Sequence, residues 1–268
     1  MNSVERDSNG VAHILGMSGG KDSTALALRM KELHPDTPMT YICTPTGDEL
    51  PEMEAHWSKC EKLLGKPILR ITNKGKNGEP VTLNSLIEDF KSLPSHRLRW
   101  CTRILKIQPT EAFLVSEALK GPVILYVGLR ADEEERQGLY WSGLTRFPMR
   151  EWGWTVKDVW RYLEHEGVTI PRRTDCARCY GQRLIEWKIL AEEHPDIYEE
   201  AIEQERIVSE EHGRPLSFRN PTRDNWPSQL EPLRAEFLSG RRVKGEEKYR
   251  AEKNLPLSDV SSCRVCRL

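Results

Sequence analysis

The sequence Ser-Gly-Gly-Lys-Asp-Ser at residues 18–23 follows a short apolar run and precedes a segment with helical periodicity. A strand–loop–helix turn of this kind presents backbone N–H groups and a helix N-terminus to an anion. Its glycines let the backbone approach phosphate oxygens closely. A Walker A loop is excluded because it needs a glycine where the chain has Leu15. The hexamer predicts another kind of phosphate-binding loop, and a turn without a ligand is the weaker alternative.

Each residue type in this loop offers a way to bind or stabilise phosphate. The hydroxyls are donors, and the glycines leave the backbone N–H groups accessible. We predict catalytic roles for Lys21, which would stabilise the charge of the transferred or leaving phosphate, and for Asp22, a candidate ligand of Mg²⁺. The predicted nucleotide-binding residues of the loop are Ser18, Gly19, Gly20, Lys21, Asp22 and Ser23.

The first half of the chain alternates β-prone runs with helical segments, as parallel βαβ units do. The predicted strands cover residues 11–15, 39–43, 68–71 and 123–129, and helical periodicity covers 23–34 and 52–64. We therefore predict an α/β fold with a doubly wound, mostly parallel sheet. In such sheets, ligands bind at the carboxyl ends of the strands.

The pattern changes after Thr145. Residues 146–150 are predicted to form a short strand or extended piece, and Thr155 with Asp158 predicts a capped helix start. Further helices are expected at 182–194 and 196–212. We predict a nucleotide-binding domain over residues 1–150 and a helical extension over residues 151–268.

Composition sets limits on the function. The chain has 268 residues, is 38% hydrophobic and carries a formal net charge of −1, so its bulk charge points to no polyanionic partner. No apolar run reaches the length of about 18 residues that a membrane span needs. The N-terminus has no basic-then-apolar signal pattern. We predict a cytoplasmic protein with no membrane partner.

Two further motifs follow predicted strands. The first spans residues 44–52, where Thr46, Gly47 and Asp48 are predicted to bind the nucleotide, and the carboxylates of Asp48 and Glu49 could contact a ribose, Mg²⁺ or an amine. In the second, Gly128, Arg130 and Arg136 are predicted nucleotide ligands because guanidinium groups bind phosphate through two donors. The alternative for both motifs is an ordinary charged helix start.

A basic stretch at residues 97–106 holds four cations and one thiol. Neighbouring cations lower the pKa of a thiol and increase its nucleophilicity, which predicts a catalytic role for Cys101. Arg103 and Lys106 would share a helix face and hold an anion, so both are also predicted to be catalytic. The alternative is a basic surface helix with a buried cysteine.

Two Cys-x-x-Cys pairs, Cys176 with Cys179 and Cys263 with Cys266, predict a four-cysteine metal site in a chain whose seven cysteines favour metal binding or catalysis over disulfides. Either tetrahedral Zn²⁺ or an iron–sulfur cluster fits four thiolates. Such a site would attach the C-terminal tail to the body of the protein. The alternative is a set of small buried thiols.

The hexamer at 18–23 matches the SGGxDS loop of N-type ATP pyrophosphatases. The motifs at 44–52, 97–106, 128–136 and 146–160 resemble, in order, those of the PAPS (phosphoadenylyl sulfate) reductase-like family. The Cys-Thr-Arg-x-Leu-Lys form at 101–106 is most similar to the PAPS reductase-like enzymes of DNA phosphorothioation. The resemblance implies an adenine nucleotide alpha hydrolase-like fold, and ATP or PAPS bound with Mg²⁺.

The same resemblance implies a [4Fe–4S] cluster beside the nucleotide. Its ligands would be Cys101, Cys176, Cys179 and one tail cysteine, which is an alternative to the set formed by the two pairs. Spacing alone favours the two pairs and suits zinc equally well.

Three functions remain open. In the first, ATP activates a substrate by adenylation for sulfur transfer to nucleic acid, with a separate sulfur donor. In the second, the enzyme reduces PAPS to sulfite with a thioredoxin-like partner, although the tail lacks the Glu-Cys-Gly-Leu-His-type element of such reductases. In the third, the chain is a non-catalytic nucleotide- or nucleic-acid-binding module with a zinc site. The helical extension could also form a homo-oligomer interface.

Overall fold

The computed structural model describes residues 4–136 and 144–251. Five strands form one sheet in which every neighbouring pair is parallel, in the order β3-β2-β1-β4-β5. The strands are β1 (Ala12–Gly16), β2 (Met39–Cys43), β3 (Ile68–Arg70), β4 (Val123–Tyr126) and β5 (Thr145–Arg146). From β1 the chain adds β2 and β3 on one side of the sheet, and it then adds β4 and β5 on the other side. This confirms the predicted α/β class with a parallel sheet.

Helices cover both faces of the sheet and continue beyond it. Their bounds are α1 (Lys21–Leu33), α2 (Pro51–Leu64), α3 (Leu83–Phe90), α4 (Trp100–Thr102), α5 (Gln108–Ala118), α6 (Pro148–Glu151), α7 (Val156–His165), α8 (Leu184–Glu193), α9 (Pro195–His212), α10 (Leu230–Leu238) and α11 (Glu246–Ala251). Between α4 and α5, residues Arg103–Ile107 form one turn of π-helix. Within the described ranges, no helix combines the length and apolar composition needed to span a membrane.

Successive side chains of a strand point to opposite faces of the sheet, so the strand residues are divided between two cores. Leu15 of β1 packs with α1, α2 and α7 on one face, whereas Ile14 packs with Leu114 of α5 on the other. The side chains of Val159 and Leu163 from α7 are fully buried against the first face. The helix at 156–165 therefore completes the covering of the sheet.

A third core lies among the C-terminal helices. It is centred on the fully buried Trp187 of α8 and includes Tyr198 of α9 and Phe237 of α10. Leu83 and Leu86 of α3 belong to the same core, so a helix from the first half of the chain packs with the C-terminal helices. The predicted division at residue 150 stays a prediction.

The predicted extended piece at 146–150 is wrong in its second half. β5 ends at Arg146, and α6 begins at Pro148. Proline is favourable at the first position of a helix because its fixed φ suits the helix and its missing N–H is not needed there. The predicted helix start at Thr155 is confirmed, since the Asp158 carboxylate accepts hydrogen bonds from the Thr155 N–H (2.9 Å) and hydroxyl (2.7 Å).

The carboxyl group of Glu205 holds the irregular segment after α9 in place. It lies 2% exposed in the third core and accepts the N–H groups of Phe218 (2.9 Å) and Leu230 (2.6 Å). Burial raises the pKa of Glu205 to about 8, against the opposing effect of these hydrogen bonds and of Arg219. The folded protein therefore retains a proton at neutral pH that an unfolded glutamate has lost.

We predict that this proton makes stability fall as the pH rises. Between the unfolded pKa of 4.5 and the folded pKa of about 8, the folded state binds more protons, so the free energy of unfolding decreases with pH. Glu205→Gln should flatten this decrease in urea-unfolding curves measured from pH 5 to 8. Glu203→Gln, at an exposed position of the same helix, is the control. An equal slope in wild type and Glu205→Gln would contradict the prediction.

Candidate functional site

A cleft with a volume of about 200 Å³ opens at the carboxyl ends of β1, β2 and β4. Ligands bind at such a point in parallel sheets, where the direction of strand addition reverses. Apolar side chains and strand-end backbone form its inner wall, and these residues are Gly16, Met17, Ile42, Cys43, Leu125, Val127 and Leu129. The polar lining consists of Ser18, Asp22, Ser23, Thr44, Glu49, Lys106, Thr110, Arg136 and Thr174. The cleft is thus apolar on one side and able to form polar contacts on the other.

The predicted phosphate loop lies on the wall of this cleft and wraps the start of α1. The Ser23 hydroxyl accepts the N–H of Gly19 (3.1 Å), lies 3.1 Å from the Ser18 hydroxyl and donates to the carbonyl of Gly20 (3.1 Å). Ser18, Gly20 and Ser23 line the cleft. The Ser23 side chain therefore organises the loop from within.

Helix α2 supports the loop from behind. The indole N–H of Trp57 donates to the carbonyl of Ser18 (3.3 Å), and Trp57 also lines the cleft. Burial lowers the pKa of His56 to about 4, so this imidazole is neutral beneath the loop. Neither Trp57 nor His56 was predicted to belong to the site. Their spacing from Met53 and Cys60 indicates a buried helix face, but the spacing does not reveal what that face contacts.

Two of the predicted catalytic residues bind each other beneath the loop. Lys21 is fully buried, and its ammonium lies 3.1 Å from the Asp22 carboxylate. Both oxygens of Asp22 also lie 3.0 Å from Nη1 of Arg130. The positive charge that lines the cleft in the described part of the chain comes from Lys106 and Arg136. The phosphate-binding role of Lys21 stays a prediction.

The loop after β4 approaches the phosphate loop closely. A Cβ at Gly128 would lie 3.2 Å from the backbone of Asp22, so only glycine fits without a shift. The guanidinium of Arg150 binds the carbonyls of Arg130 (3.4 Å), Glu133 (2.6 Å) and Arg136 (2.5 Å) and thus shapes this loop. Nε of Arg136 is buried without a partner among the described residues. A cleft-lining donor of this kind suits an anionic ligand.

The loop after β2 contributes Glu49 to the cleft. Its carboxylate accepts the N–H groups of Thr46 (2.7 Å) and Gly47 (2.9 Å). The carboxylate of Asp48 turns away from the cleft and binds the side chain and the N–H of Arg178. Thr46, Gly47 and Asp48 thus have protein partners here, and their nucleotide-binding roles stay predictions. Acidic character in this motif is evident from the sequence, but which acid faces the cleft is not.

A second cavity of about 30 Å³ lies beside the cleft. Cys101, Cys176 and Cys179 line it together with Lys106, and both Cys176 and Lys106 also line the cleft. Burial raises the pKa of Cys176 well above its usual value, although Lys106 acts in the opposite direction. The structure therefore brings three thiols to the edge of the candidate nucleotide site.

Arg103 and Lys106 were predicted to share a helix face. Both lie in the π-helical turn, whose i→i+5 hydrogen bonds widen the helix so that residues three apart diverge. Arg103 is exposed, whereas Lys106 lines both cavities. Of the two, only Lys106 is positioned by this structure to act at the cleft.

The predicted four-cysteine site is only half described. Cys263 and Cys266 lie outside the described residues. Among the described ones, no group of three or more His, Cys, Asp or Glu side chains is arranged to hold a metal ion. Cys176 and Cys179 form no disulfide and line the second cavity. The metal site stays a prediction.

We predict that Gly19→Ala disrupts nucleotide binding. Gly19 has φ +85°, which strains any other residue, and an added Cβ would lie 2.0 Å from Cε of Met53 and 2.7 Å from Nε1 of Trp57, so both side chains of α2 must shift away from the loop. ATP affinity measured by calorimetry should fall at least about tenfold, the equivalent of one lost charge-assisted hydrogen bond.

Gly10→Ala is the matched control. Gly10 has φ +75°, but nothing lies within 4 Å of an added Cβ. This variant should lose about 1 kcal/mol of stability through backbone strain and keep its ATP affinity. If both variants bound ATP equally well, α2 would not be needed to support the loop.

Comparison with known families agrees with this geometry. A family model described as "Phosphoadenosine phosphosulfate reductase domain" matches residues 12–172, which is more than half of the chain and contains both the phosphate loop and the loops facing it. No curated protein matches the sequence. Members of the matched family are in general enzymes that act on sulfonucleotides. With its parallel sheet, its glycine-rich loop and its cleft at the strand ends, the chain belongs to the phosphoadenosine phosphosulfate reductase domain family.

Proposed function

We propose that the chain is an enzyme of sulfur metabolism that binds an adenine nucleotide in the cleft and breaks the bond between its α- and β-phosphates. The observation that carries this proposal is the placement of the loop at 18–23. It wraps the N-terminus of α1 on a cleft that also holds the cations of Lys106 and Arg136. Backbone N–H groups and a helix N-terminus beside two cations favour the binding of a polyphosphate.

The apolar wall supports a purine base as the other end of the ligand. Ile42, Leu125 and Val127 line the cleft at the ends of the central strands. Pockets that bind small molecules are mostly apolar, with a few polar groups that fix orientation. A base on this wall would direct its phosphates toward Ser18 and Ser23.

Charge stabilisation is the chemistry that these residues offer. Negative charge grows on the leaving phosphate as the bond breaks, and fixed donors aimed at that charge lower the barrier. Nη1 of Arg136 binds Glu133, its buried Nε has no partner within residues 4–136 and 144–251, and Lys106 lines the same cleft. Asp22 and Asp48, the predicted Mg²⁺ candidates, each bind an arginine, so neither carboxylate fits a metal ion in this arrangement.

The position of the cysteines supports sulfur chemistry. Because Cys176 lines both cavities, a thiol borders the space proposed for the nucleotide. Thiolates are the ligands of both zinc and iron–sulfur clusters, so Cys101, Cys176 and Cys179 are suitable donors in kind. A bound cluster would supply electron transfer or sulfide binding, and zinc would supply structural support. The fourth ligand would come from Cys263 or Cys266.

Two substrates remain candidates. Adenylation for sulfur transfer to nucleic acid is supported by the exposed cations of Arg97, Arg99 and Arg103, which lie on the chain segment that leads into the π-helical turn beside the cysteines. Exposed arginines bind the phosphates of nucleic acid. The alternative, reduction of PAPS to sulfite, would break the bond between sulfur and the phosphate oxygen in place of an α–β phosphate bond, with two electrons from a thioredoxin-like partner. This reaction is supported by the family itself. Pyrophosphate release from ATP favours the first reaction, and sulfite release from PAPS favours the second.

We predict that Arg136→Gln lowers kcat/KM for pyrophosphate release from ATP by about 10- to 100-fold, the value of a hydrogen bond to a charged group. Arg146→Gln is the matched control, because Arg146 is exposed and bound to Glu151. It should retain full activity. If neither ATP nor PAPS is turned over by the wild-type protein, but nucleotide still binds, the chain is a binding module and the proposed reaction is wrong.

We predict that the chain purified anaerobically contains a metal bound by its cysteines. About four iron and four sulfide per chain, with a broad absorbance band near 400 nm, would identify a [4Fe–4S] cluster. About one colourless zinc per chain would identify a structural site. Cys176→Ser should lower the metal content in either case. An unchanged metal content in Cys176→Ser would exclude Cys176 as a ligand.

A further inference from the structure

A buried ion pair fastens the first Cys-x-x-Cys pair to the loop after β2. Nε and Nη2 of Arg178 each lie 2.6 Å from Oδ1 of Asp48, and the N–H of Arg178 donates to Oδ2 (2.8 Å). The side chains of Arg178 and Asp48 are 3% and 1% exposed. The N–H of Ala177 also donates to the Asp48 carbonyl (2.6 Å). Asp48 thus binds the two residues that separate Cys176 from Cys179.

The same loop reaches both cavities. Glu49, next to Asp48, lines the cleft, and Thr46 lines the second cavity. The Thr46 hydroxyl lies 3.3 Å from Sγ of Cys176 and 2.8 Å from the Glu49 carboxylate. A short stretch of backbone therefore connects a cleft-lining acid to the cysteine pair, and Arg178 holds the pair to that backbone.

A buried ion pair stabilises a fold poorly, because its desolvation penalty offsets much of the attraction between the charges. Moving two charges out of water carries a large free-energy penalty, and apolar residues of similar volume often stabilise a fold as well as a buried ion pair does. What a two-donor arginine–carboxylate contact adds is a defined orientation. The Asp48–Arg178 pair therefore serves to orient the groups that it joins.

We propose that Arg178 is a positioning residue: through Asp48 it holds Cys176 and Cys179 against the edge of the cleft. This deepens the proposed function, on which it rests, because it explains how thiols are kept beside a nucleotide. Arg178 does not line the cleft and acts through the cysteine pair.

Arg178→Lys tests the proposal in the full chain. Lysine keeps the charge but offers a single contact point in place of the planar fork. The alkylation of Cys179 by iodoacetamide, followed by peptide mass spectrometry, should accelerate at least about tenfold through local opening. Alkylation of Cys60, which is 1% exposed in the core beside the sheet, reports global unfolding and should not change. Arg206→Lys, which alters an exposed pair on α9, is the matched control.

Every outcome decides the matter. A selective increase at Cys179 supports positioning, and a parallel increase at Cys60 shows that the pair only stabilises the fold. If Arg178→Lys does not fold, the rate of Cys179 alkylation relative to that of Cys60 is measured in Asp48→Asn instead. If neither variant folds, the proposal is overturned. ATP affinity of Arg178→Lys should stay within about threefold of wild type, because Arg178 lines the second cavity and not the cleft. Failure of wild type to bind ATP would refute the proposed function but not the alkylation result.

Discussion

The buried ion pair between Asp22 and Arg130 is the contact on which the geometry of the cleft depends. It joins the loop after β1 to the loop after β4, which lie side by side because those strands are neighbours. Arg130 is in turn held by Asp132 (2.8 Å), and Lys21 contributes a second cation to Asp22. Breaking a buried pair leaves an uncompensated charge, which costs about 3–5 kcal/mol. The two loops therefore keep one arrangement, and the cleft is preformed.

A second buried pair, Asp48 with Arg178, repeats this arrangement on the other side of the cleft. In both pairs an acid that follows the end of a strand binds an arginine distant in sequence. The charged residues around the cleft therefore have two different roles. Those in the pairs set the positions of loops, while Arg136 and Lys106 present positive charge to the cleft. A ligand phosphate would meet these two cations and the loop at 18–23, and it would share the Arg136 guanidinium with Glu133, whose carboxylate lies 2.6 Å from Nη1.

Much of the fold could be predicted because its signals are local. The strands at 39–43 and 68–71 and the capped helix after Thr155 follow from periodicity and turn residues. The error at 146–150 arose where a single proline, Pro148, decides between strand and helix. The π-helical turn at 103–107 was not predicted either, because nothing in its composition distinguishes it from an α-helix. That turn separates two cations whose spacing suggested a common face.

The sequence by itself determined that a phosphate-binding loop stands between a strand and a helix in a parallel α/β fold, and that acidic, basic and thiol groups follow the strands. These properties depend on short segments whose chemistry is fixed by neighbouring residues. Only the tertiary structure decided that Lys21 is buried, that Arg136 faces the cleft and that Asp48 binds an arginine 130 positions away. The reason is physical: whether a charge faces a ligand or a counter-ion depends on which side chains the packing brings within a few ångströms, and local spacing carries no information about residues so far apart in the chain.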